Sequence, residues 1–332
     1  KEWIPDDHIN VVAFKDYYRG RPYLDQIIYK VVPDATVLTE QLYTGEVDVT
    51  NIEPDQVQRF LENPKVKVHI YDALNYAYMG YNLKNEFFSK VKVREAIAHA
   101  ISKKTIVDEV LFGYGEVCNV PMAKISWAYN PNVTTPEYNV SLAKKLLKDA
   151  GFDDTDGDGI LEKDGKDFKF TLMTNKGNKQ REKIAVIIQD QLKDVGIDVE
   201  VQYLEWPTFV DKITSKEFDA CIVGWNLGID PDQSSIWHSE KAETFNFISY
   251  HNDVVNKILD DALSVPGCDK EKRKELYFKF QEIIAKDHPY LFLYYRKAVV
   301  GVNAKFYSDT GIFGTPIGIL WNIDKWYIKQ ES

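Results

Sequence analysis

The sequence between positions 168 and 223 alternates apolar segments with amphipathic ones, and this alternation limits the folds that the chain can adopt. The pattern predicts strands at 168–173, 199–204 and 218–223, separated by helices at 179–195 and 206–213. Strands that alternate with helices pair in parallel through right-handed crossovers, because each helix returns the chain to the starting edge of the sheet. The sequence therefore predicts an α/β domain built on a parallel sheet.

The last of these strands leads into a loop rich in glycine, proline and acidic residues. The stretch 217–232 reads EFDACIVGWNLGIDPD, and we expect Gly224 to end the strand and Trp225 to begin the loop. In α/β domains, ligands bind outside the carboxyl ends of the strands. The stretch is typical either of a binding site or of a core tryptophan beside an ordinary turn, and these residues alone favour neither.

Composition narrows the function classes. The 332 residues are 44% hydrophobic and 28% charged, as in soluble globular proteins. A net charge of −10 argues against nucleic acid as a partner, because phosphate binding requires a concentrated basic surface. No apolar run approaches the roughly 20 residues that cross a bilayer. The 7 Trp, 20 Tyr and 17 Phe residues are numerous enough to line a ligand cleft as well as a core.

Several predicted helices begin at residues whose side chains can cap them. Asp34 and Ser141 each precede an apolar-periodic segment, so we expect each to accept a hydrogen bond from the first turn. We expect a further helix, 103–111, to begin after Ser102. For Ser141 the predicted helix is 142–150.

An acidic loop lies between the end of that helix and the strand at 168–173. Asp154, Asp156 and Asp158 occupy alternate positions before Gly159, as in the first half of a calcium-binding EF-hand loop. The twelfth position, where a bidentate Glu belongs, is Gly165. The loop predicts either a calcium site at the three aspartates or a solvated turn. The sequence predicts no other cofactor.

Catalytic motifs are missing from the sequence. We find no nucleophile elbow, no HExxH and no phosphate-binding loop. The carboxylate pairs Asp230/Asp232 and Asp260/Asp261 are of the kind that glycosidases use, but nothing beside them predicts a raised pKa. We therefore predict that the chain is not an enzyme, with a secreted glycosidase as the alternative from another class.

Blocks of residues spread along nearly the whole chain match the pattern of one known family. They are Tyr43-x-Gly45-Glu46-x-Asp48; Asn82-Leu83 with Phe87-Phe88-Ser89 and Val93-Arg94-Glu95-Ala96-Ile97; Ala143-Lys144-Lys145-Leu146-Leu147-x-x-Ala150-Gly151-Phe152; Gln191-Leu192 with Gly196-Ile197; and Glu205-Trp206, Phe209, Phe218-Asp219 and Gly224-Trp225. In this set the chain resembles the extracytoplasmic solute-binding proteins of oligopeptide-type (family 5) ABC transporters.

The resemblance implies an α/β fold of the periplasmic-binding-protein-like type II, with one complete C-terminal lobe and part of the first lobe. The implied domains are a second segment of the first lobe at 1–80, the C-terminal lobe at 81–290, and a return to the first lobe at 291–332. The chain begins at Lys1 rather than Met and lacks the first half of the family's length. We therefore expect a truncated or cleaved C-terminal portion of a family member.

The resemblance also implies a function. It implies a periplasmic or cell-surface receptor that delivers an oligopeptide or a similar small ligand to an ABC-transporter permease and performs no chemistry on it. Contact with the membrane would come only through an N-terminal anchor or signal outside this sequence. In peptide-binding members, an Asp three residues after the tryptophan at position 225 holds the ligand's α-amino group; here that position is Gly228.

The loss of that Asp raises a second ligand class within the family, a β-linked oligosaccharide. Trp206, Trp225 and Trp237 would present flat apolar faces to sugar rings, and Asn226 and Asp230 would supply hydrogen bonds at the rim. The resemblance places Trp206 and Trp225 in the wall of the binding cleft for either ligand. We therefore expect ligand contacts from these five residues.

Overall fold

The computed structural model describes residues 1–241 and 245–329 of the chain. Its helices are α1 (Ala35–Thr44), α2 (Val57–Leu61), α3 (Val91–Ala100), α4 (Lys103–Val110), α5 (Val140–Asp149), α6 (Lys179–Lys193), α7 (Trp206–Thr214), α8 (Ser234–Trp237), α9 (Asp253–Ser264) and α10 (Lys270–Asp287). Its strands are β1 (Glu2–Ile4), β2 (His8–Val12), β3 (Gln26–Lys30), β4 (Val49–Asn51), β5 (Val66–Asp72), β6 (Asn75–Tyr81), β7 (Gly115–Val117), β8 (Glu162–Lys163), β9 (Lys166–Asp167), β10 (Lys169–Asn175), β11 (Asp198–Leu204), β12 (Ala220–Asn226), β13 (Tyr290–Asn303), β14 (Phe306–Ser308) and β15 (Trp326–Ile328).

The chain divides into two units. Unit 1 comprises Lys1–Ala73 and Lys297–Ser332, and unit 2 comprises Leu74–Arg296. Strand β13 therefore contributes its first half to unit 2 and its second half to unit 1. The boundaries inferred from the sequence concern the lobes of a longer family fold and stay a prediction.

Unit 2 is built on a mixed sheet in the order β11-β10-β12-β6-β13. Strand β10 pairs in parallel with β11 and with β12, as the strand–helix alternation predicts, while β6 pairs antiparallel with β12 and β13. The α/β prediction is confirmed. The last residues of the three parallel strands, Asn175, Leu204 and Asn226, lie at one edge of the sheet, which we call the carboxyl edge.

Both faces of this sheet are covered by apolar side chains. Because successive strand residues point to opposite faces, Ile222 packs in one cluster with Ile184 of α6, while Val223 packs in another with Phe280 of α10. The two clusters fix the sheet between helices on either side, so the side chains at its carboxyl edge are held on a rigid support.

The family-pattern residues Asn82 and Asp219 hold segments of unit 2 together. The side chain of Asn82 donates through Nδ2 to the carbonyl oxygen of Phe218 at 2.8 Å. Asp219 accepts from Asn85 Nδ2 at 2.9 Å and from the backbone N–H of Thr171 at 3.0 Å. These residues therefore tie β10 and the start of β12 to the turn after β6, and their role in the structure is architectural.

Arg94, another residue of the family pattern, is buried in α3. Its guanidinium donates to the carbonyl oxygens of Phe88, Asp287 and His288, the last two at the C-terminal end of α10. Carbonyl oxygens at a helix end lack partners within the helix, so Arg94 satisfies groups that would otherwise be buried without hydrogen bonds.

Unit 1 contains an antiparallel sheet of β1, β2 and β3, and strands β4 and β5 pair with the second half of β13. Its buried cluster includes Val300, Val302 and Trp326. Several large apolar side chains in the first 31 residues are exposed: Trp3, Ile4, Ile9, Val11, Val12, Phe14, Tyr18, Tyr23, Ile28, Tyr29 and Val31. These side chains therefore lie outside the core of unit 1.

One of the two predicted helix caps is confirmed, and a helix begins after Ser102 as predicted. Asp34 accepts from the first turn of α1, and Ser102 accepts from the first turn of α4. The prediction for Ser141 is wrong, because α5 begins at Val140 and Asn139 accepts from the N–H of Leu142. Asn and Ser cap equally well, so the local sequence does not discriminate between two candidates two residues apart.

Candidate functional site

Strand β12 reaches further towards the carboxyl edge than the sequence predicts. Gly224 does not end the strand: it pairs with Ala77 of β6, Trp225 pairs with Tyr76, and the strand ends at Asn226. A Cβ atom at position 224 would lie 2.8 Å from the carbonyl oxygen of Tyr76. The glycine is therefore required for the close approach of two strands and not for a turn.

Trp225 lies at this edge in a group of aromatic rings. Its indole is half-buried, with ring centroids 5.4 Å from Phe245, 5.9 Å from Phe247 and 6.4 Å from Tyr78. Tyr78 in turn stacks on Tyr290 with centroids 3.7 Å apart. Trp225 therefore belongs partly to the core and partly to the surface, which combines the two interpretations that the sequence left open.

Trp206 is the first residue of α7 and follows the carboxyl end of β11. Its indole is 52% exposed and stacks on Phe209, with centroids 5.7 Å apart and planes inclined by 28°. Phe209 is fully buried, so it supports the indole from one side and leaves the other side open. In the described part of the chain no direct ring contact joins Trp206 to Trp225.

Asn226 and Asp230 follow Trp225 and are both exposed. The carboxylate of Asp230 accepts two hydrogen bonds from the guanidinium of Arg273, at 2.7 and 2.9 Å. This interaction holds the pKa of Asp230 below its usual value. The carboxylate is therefore already neutralised by a cation of the protein, whereas the side chain of Asn226 is exposed at the end of β12.

The structure does not bring Trp237 to the surface with Trp206 and Trp225. Its indole is 1% exposed and is enclosed by Tyr290, Tyr250 and Phe280, with ring centroids 4.6, 5.6 and 6.3 Å away. An indole covered in this way presents no face to a ligand, so in this structure Trp237 is a core residue.

One residue of the carboxyl edge was not singled out from the sequence. Arg181 lies in the first turn of α6, and its Nη1 donates to the side-chain oxygen of Asn175 at 2.7 Å. The position of Arg181 in the sequence could have indicated this, because the first turn of a helix that follows a parallel strand lies next to the strand's carboxyl end.

The acidic loop brings four carboxylates together. One oxygen from each of Asp154, Asp156, Asp158 and Glu162 lies within 4.8 Å of the others. Glu162 is the ninth residue of the calcium-loop pattern and also accepts from the N–H of Thr155 at 2.7 Å. The aspartates likewise accept backbone hydrogen bonds within the loop. Both the calcium site and the solvated turn remain predictions.

In the part of the chain that the structure describes, no helix combines the length and the apolar character needed to cross a membrane.

Comparison with known proteins identifies relatives along the whole chain. Residues 1–246 match the family described as bacterial extracellular solute-binding proteins, family 5 Middle. The chain is 40% identical to the oligopeptide-binding protein AppA of Bacillus subtilis over 99% of this chain and 61% of that protein. It is 28% identical to heme-binding protein A of Haemophilus influenzae over 87% of this chain and 52% of that protein. The chain thus spans between half and two thirds of the length of these relatives.

Two solved structures resemble the fold closely. Bacillus subtilis AppA in complex with a nonapeptide gives a TM-score of 0.88 at 40% identity, covering 99% of this chain and 66% of that one. NikZ from Campylobacter jejuni in complex with Ni(L-His) gives 0.89 at 25% identity, covering 99% and 67%. These neighbours are type II periplasmic binding proteins, so the predicted fold class is confirmed. The chain belongs to the family 5 bacterial extracellular solute-binding proteins.

Proposed function

We propose that the protein is a periplasmic or cell-surface receptor that binds an oligopeptide and delivers it unchanged to an ABC-transporter permease. The observation that carries the proposal is the 40% identity, over 99% of this chain, to an oligopeptide-binding protein. The membership of a family of extracellular solute-binding proteins supports an extracytoplasmic location and a role without catalysis.

The carboxyl edge of unit 2 has the chemistry that such a receptor requires. Ligand sites are mostly apolar surfaces with a few placed polar groups, and an exposed indole at Trp206, a half-buried indole at Trp225 and the amide of Asn226 supply both. Aromatic faces accept many different side chains, which suits a receptor for varied peptides.

Two positions of the loop after β12, 228 and 230, do not offer a free carboxylate to the amino end of a peptide. Gly228 has no side chain, and the carboxylate of Asp230 is paired with Arg273. We infer that recognition of the amino end differs from the pattern of peptide-binding members with an Asp at this position.

The oligosaccharide alternative loses two of its five expected contacts, because Trp237 is buried and Asp230 is paired with Arg273. No observation on the described residues favours a glycosidase.

The test uses the full-length protein. Native mass spectrometry identifies the ligand that co-purifies with it, and calorimetry compares a nonapeptide with a cello-oligosaccharide. We expect a bound peptide and measurable affinity for the nonapeptide alone. Binding of the oligosaccharide without the peptide would reject the proposal.

A pair of variants tests the surface itself. We expect Trp206→Ala to weaken nonapeptide binding about tenfold or more, because a truncated aromatic anchor costs more than 1 kcal/mol. Tyr138→Ala removes an aromatic side chain of similar exposure (51%) from the loop before α5 and should leave the affinity unchanged. Equal affinities of both variants and the parent protein would exclude Trp206 from the site.

A further inference from the structure

Unit 1 contains a cavity that the proposed function does not use. It lies between strands β2 and β3 and the 3₁₀-helical segment Ile319–Lys325, and its volume is about 220 Å³. A cavity of this volume has room for a bicyclic aromatic molecule, since an apolar one of about 150 Å³ binds benzene. Most of the wall is apolar and is formed by Val11, Val12, Phe14, Leu24, Ile27 and Trp321.

The apolar wall of this cavity combines a fixed indole with side chains that are exposed to water. Phe14 and Val12 are both exposed. The indole N–H of Trp321 donates to the carbonyl oxygen of Phe313 at 3.0 Å, and the two rings have centroids 5.1 Å apart, which holds Trp321 in place. Such a wall offers apolar area and a rigid aromatic face to a ring that enters the cavity.

One polar group in the wall lacks the hydrogen bond that a buried oxygen usually has. The side chain of Asp324 is only 8% exposed, and among the described residues no donor is bonded to its Oδ2 atom. Arg19 Nε and Lys325 Nζ lie 3.6 and 3.9 Å from Oδ2, which is too far for a hydrogen bond. Oδ2 is therefore a buried acceptor that these two cations balance in charge but do not bond.

The two cations determine which kind of donor suits Asp324 Oδ2. Because Arg19 and Lys325 already balance the carboxylate, a further ammonium group would be repelled by them. A carboxylate, on the other hand, has no hydrogen to donate. A neutral N–H or O–H group can bond to Oδ2 without adding charge, and a hydrogen bond to an ionised acceptor is stronger than one between neutral groups.

We propose that this cavity binds a small neutral aromatic molecule that carries one N–H or O–H donor, such as indole. The ring packs against Trp321 and the aliphatic side chains, and the donor bonds to Asp324 Oδ2. The site belongs to unit 1, whereas the surface proposed for the peptide belongs to unit 2. The inference therefore goes beyond the proposed function and does not depend on it.

The experiment compares indole with benzothiophene, which has nearly the same shape but carries sulfur in place of the N–H group. Ligand-observed NMR titration of the full-length protein gives both dissociation constants. We expect saturable binding of indole with a Kd of about 1 mM or lower, as for a good ligand of this size. Asp324→Asn replaces the ionised acceptor with a neutral one, so the ratio of indole affinity to benzothiophene affinity should fall about fivefold.

A second pair of variants tests the cavity without changing Asp324. Val12→Trp places a large side chain in the wall and should weaken the binding of both ligands about tenfold or more. Ile28→Trp is the matched control, because Ile28 is about as exposed as Val12 but lies outside the wall, and it should leave both affinities unchanged. Thermal unfolding temperatures close to that of the parent protein report that the variants are folded.

Three results would overturn the inference. They are the absence of saturable indole binding by the full-length protein, unchanged indole binding in Val12→Trp, and an unchanged affinity ratio in Asp324→Asn. The first is expected if another segment of the full-length protein fills the cavity. None of the three concerns the nonapeptide, so the proposed receptor function would stand in each case.

Discussion

Arg94 and Arg181 are both at least partly buried in unit 2, yet their guanidinium groups differ in how many hydrogen bonds the protein provides. Arg94 is 4% exposed and donates to three carbonyl oxygens, so its charge is solvated by the protein itself. Arg181 is half-buried, and within the described residues its side chain has one hydrogen bond, to Asn175. The difference teaches that burial of a charge does not define its role. A guanidinium whose partners belong to the fold stabilises the fold, and one whose partners are missing is available to a ligand.

The largest predicted effect separates these two arginines by stability. We expect Arg94→Met to lower the free energy of unfolding by about 3–5 kcal/mol, because it leaves buried carbonyl oxygens at the end of α10 without donors. Arg181→Met should change it by less than about 1 kcal/mol, since one hydrogen bond to a neutral side chain is lost. Urea denaturation of both variants measures the difference. Similar losses in both would remove the basis of the comparison.

The next effect concerns His288, whose carbonyl accepts from Arg94 and whose side chain is half-buried. Burial, with the positive charges of Arg94, Lys103 and His99 adding to it and Asp287 opposing it, lowers the pKa of His288 to about 4. The unfolded histidine takes up a proton near pH 6.5 and the folded one only near pH 4. Stability is therefore complete above about pH 6.5 and falls by about 2–3 kcal/mol as the pH decreases to about 4.

His288→Asn tests this assignment, because Asn does not titrate and tolerates the left-handed backbone at this position (φ 45°). The parent protein should lose more stability than the variant between pH 6.5 and pH 4, measured by urea denaturation at each pH. Parallel pH profiles would show that another group is responsible.

A smaller effect tests the support beneath Trp225. Gly224→Ala places a methyl group 2.8 Å from the carbonyl oxygen of Tyr76, so we expect a loss of about 2 kcal/mol in unfolding free energy. Gly228→Ala is the matched control, because its nearest neighbour would be 3.7 Å away, and it should cost less than about 0.5 kcal/mol. Thermal unfolding compares the two. Equal losses would mean that the strands separate readily at position 224.

A smaller loss of stability is expected at Asp230, which resembles Arg94 in that its charge is paired with a group of the protein itself, the guanidinium of Arg273. Its carboxylate is more than half exposed, so the pair with Arg273 is screened and Asp230→Asn should cost about 0.5–1 kcal/mol. Because its pKa is lowered, this contribution is present above about pH 4 and is lost as the pH falls through the folded pKa. Nonapeptide affinity should not change. A loss of affinity without a loss of stability would return Asp230 to the binding site.

The smallest expected effect concerns the acidic loop, where four carboxylates converge and no lysine or arginine among the described residues forms an ion pair with them. If calcium binds there, a calcium concentration equal to its Kd stabilises the protein by about 0.4 kcal/mol. Asp156→Asn should abolish this shift, and Asp167→Asn, an exposed change just outside the loop, should not. Calorimetry without a binding isotherm at millimolar calcium would leave the solvated turn as the explanation.

Much of the fold follows from local patterns in the sequence. The strand–helix alternation predicted the parallel core of the sheet, and the helices predicted at 179–195 and 206–213 are present as α6 and α7. The candidate site was anticipated only in part. Trp206 and Trp225 lie at the carboxyl edge, but Trp237 is buried and Asp230 is neutralised, because the residues that cover or pair with them are distant in sequence. Arg181 was missed for the opposite reason, since the absence of a carboxylate partner among the described residues is visible only when the neighbours are known.

The sequence by itself determined the elements, their parallel pairing and the family, because hydrophobic periodicity and short residue blocks are local properties of the chain. Tertiary structure alone decided which polar groups are satisfied. Arg94 meets a carbonyl 193 residues away, and Asp230 meets an arginine 43 residues away. The energy of a charge depends on what surrounds it in space, and the order of residues along the chain does not contain that information.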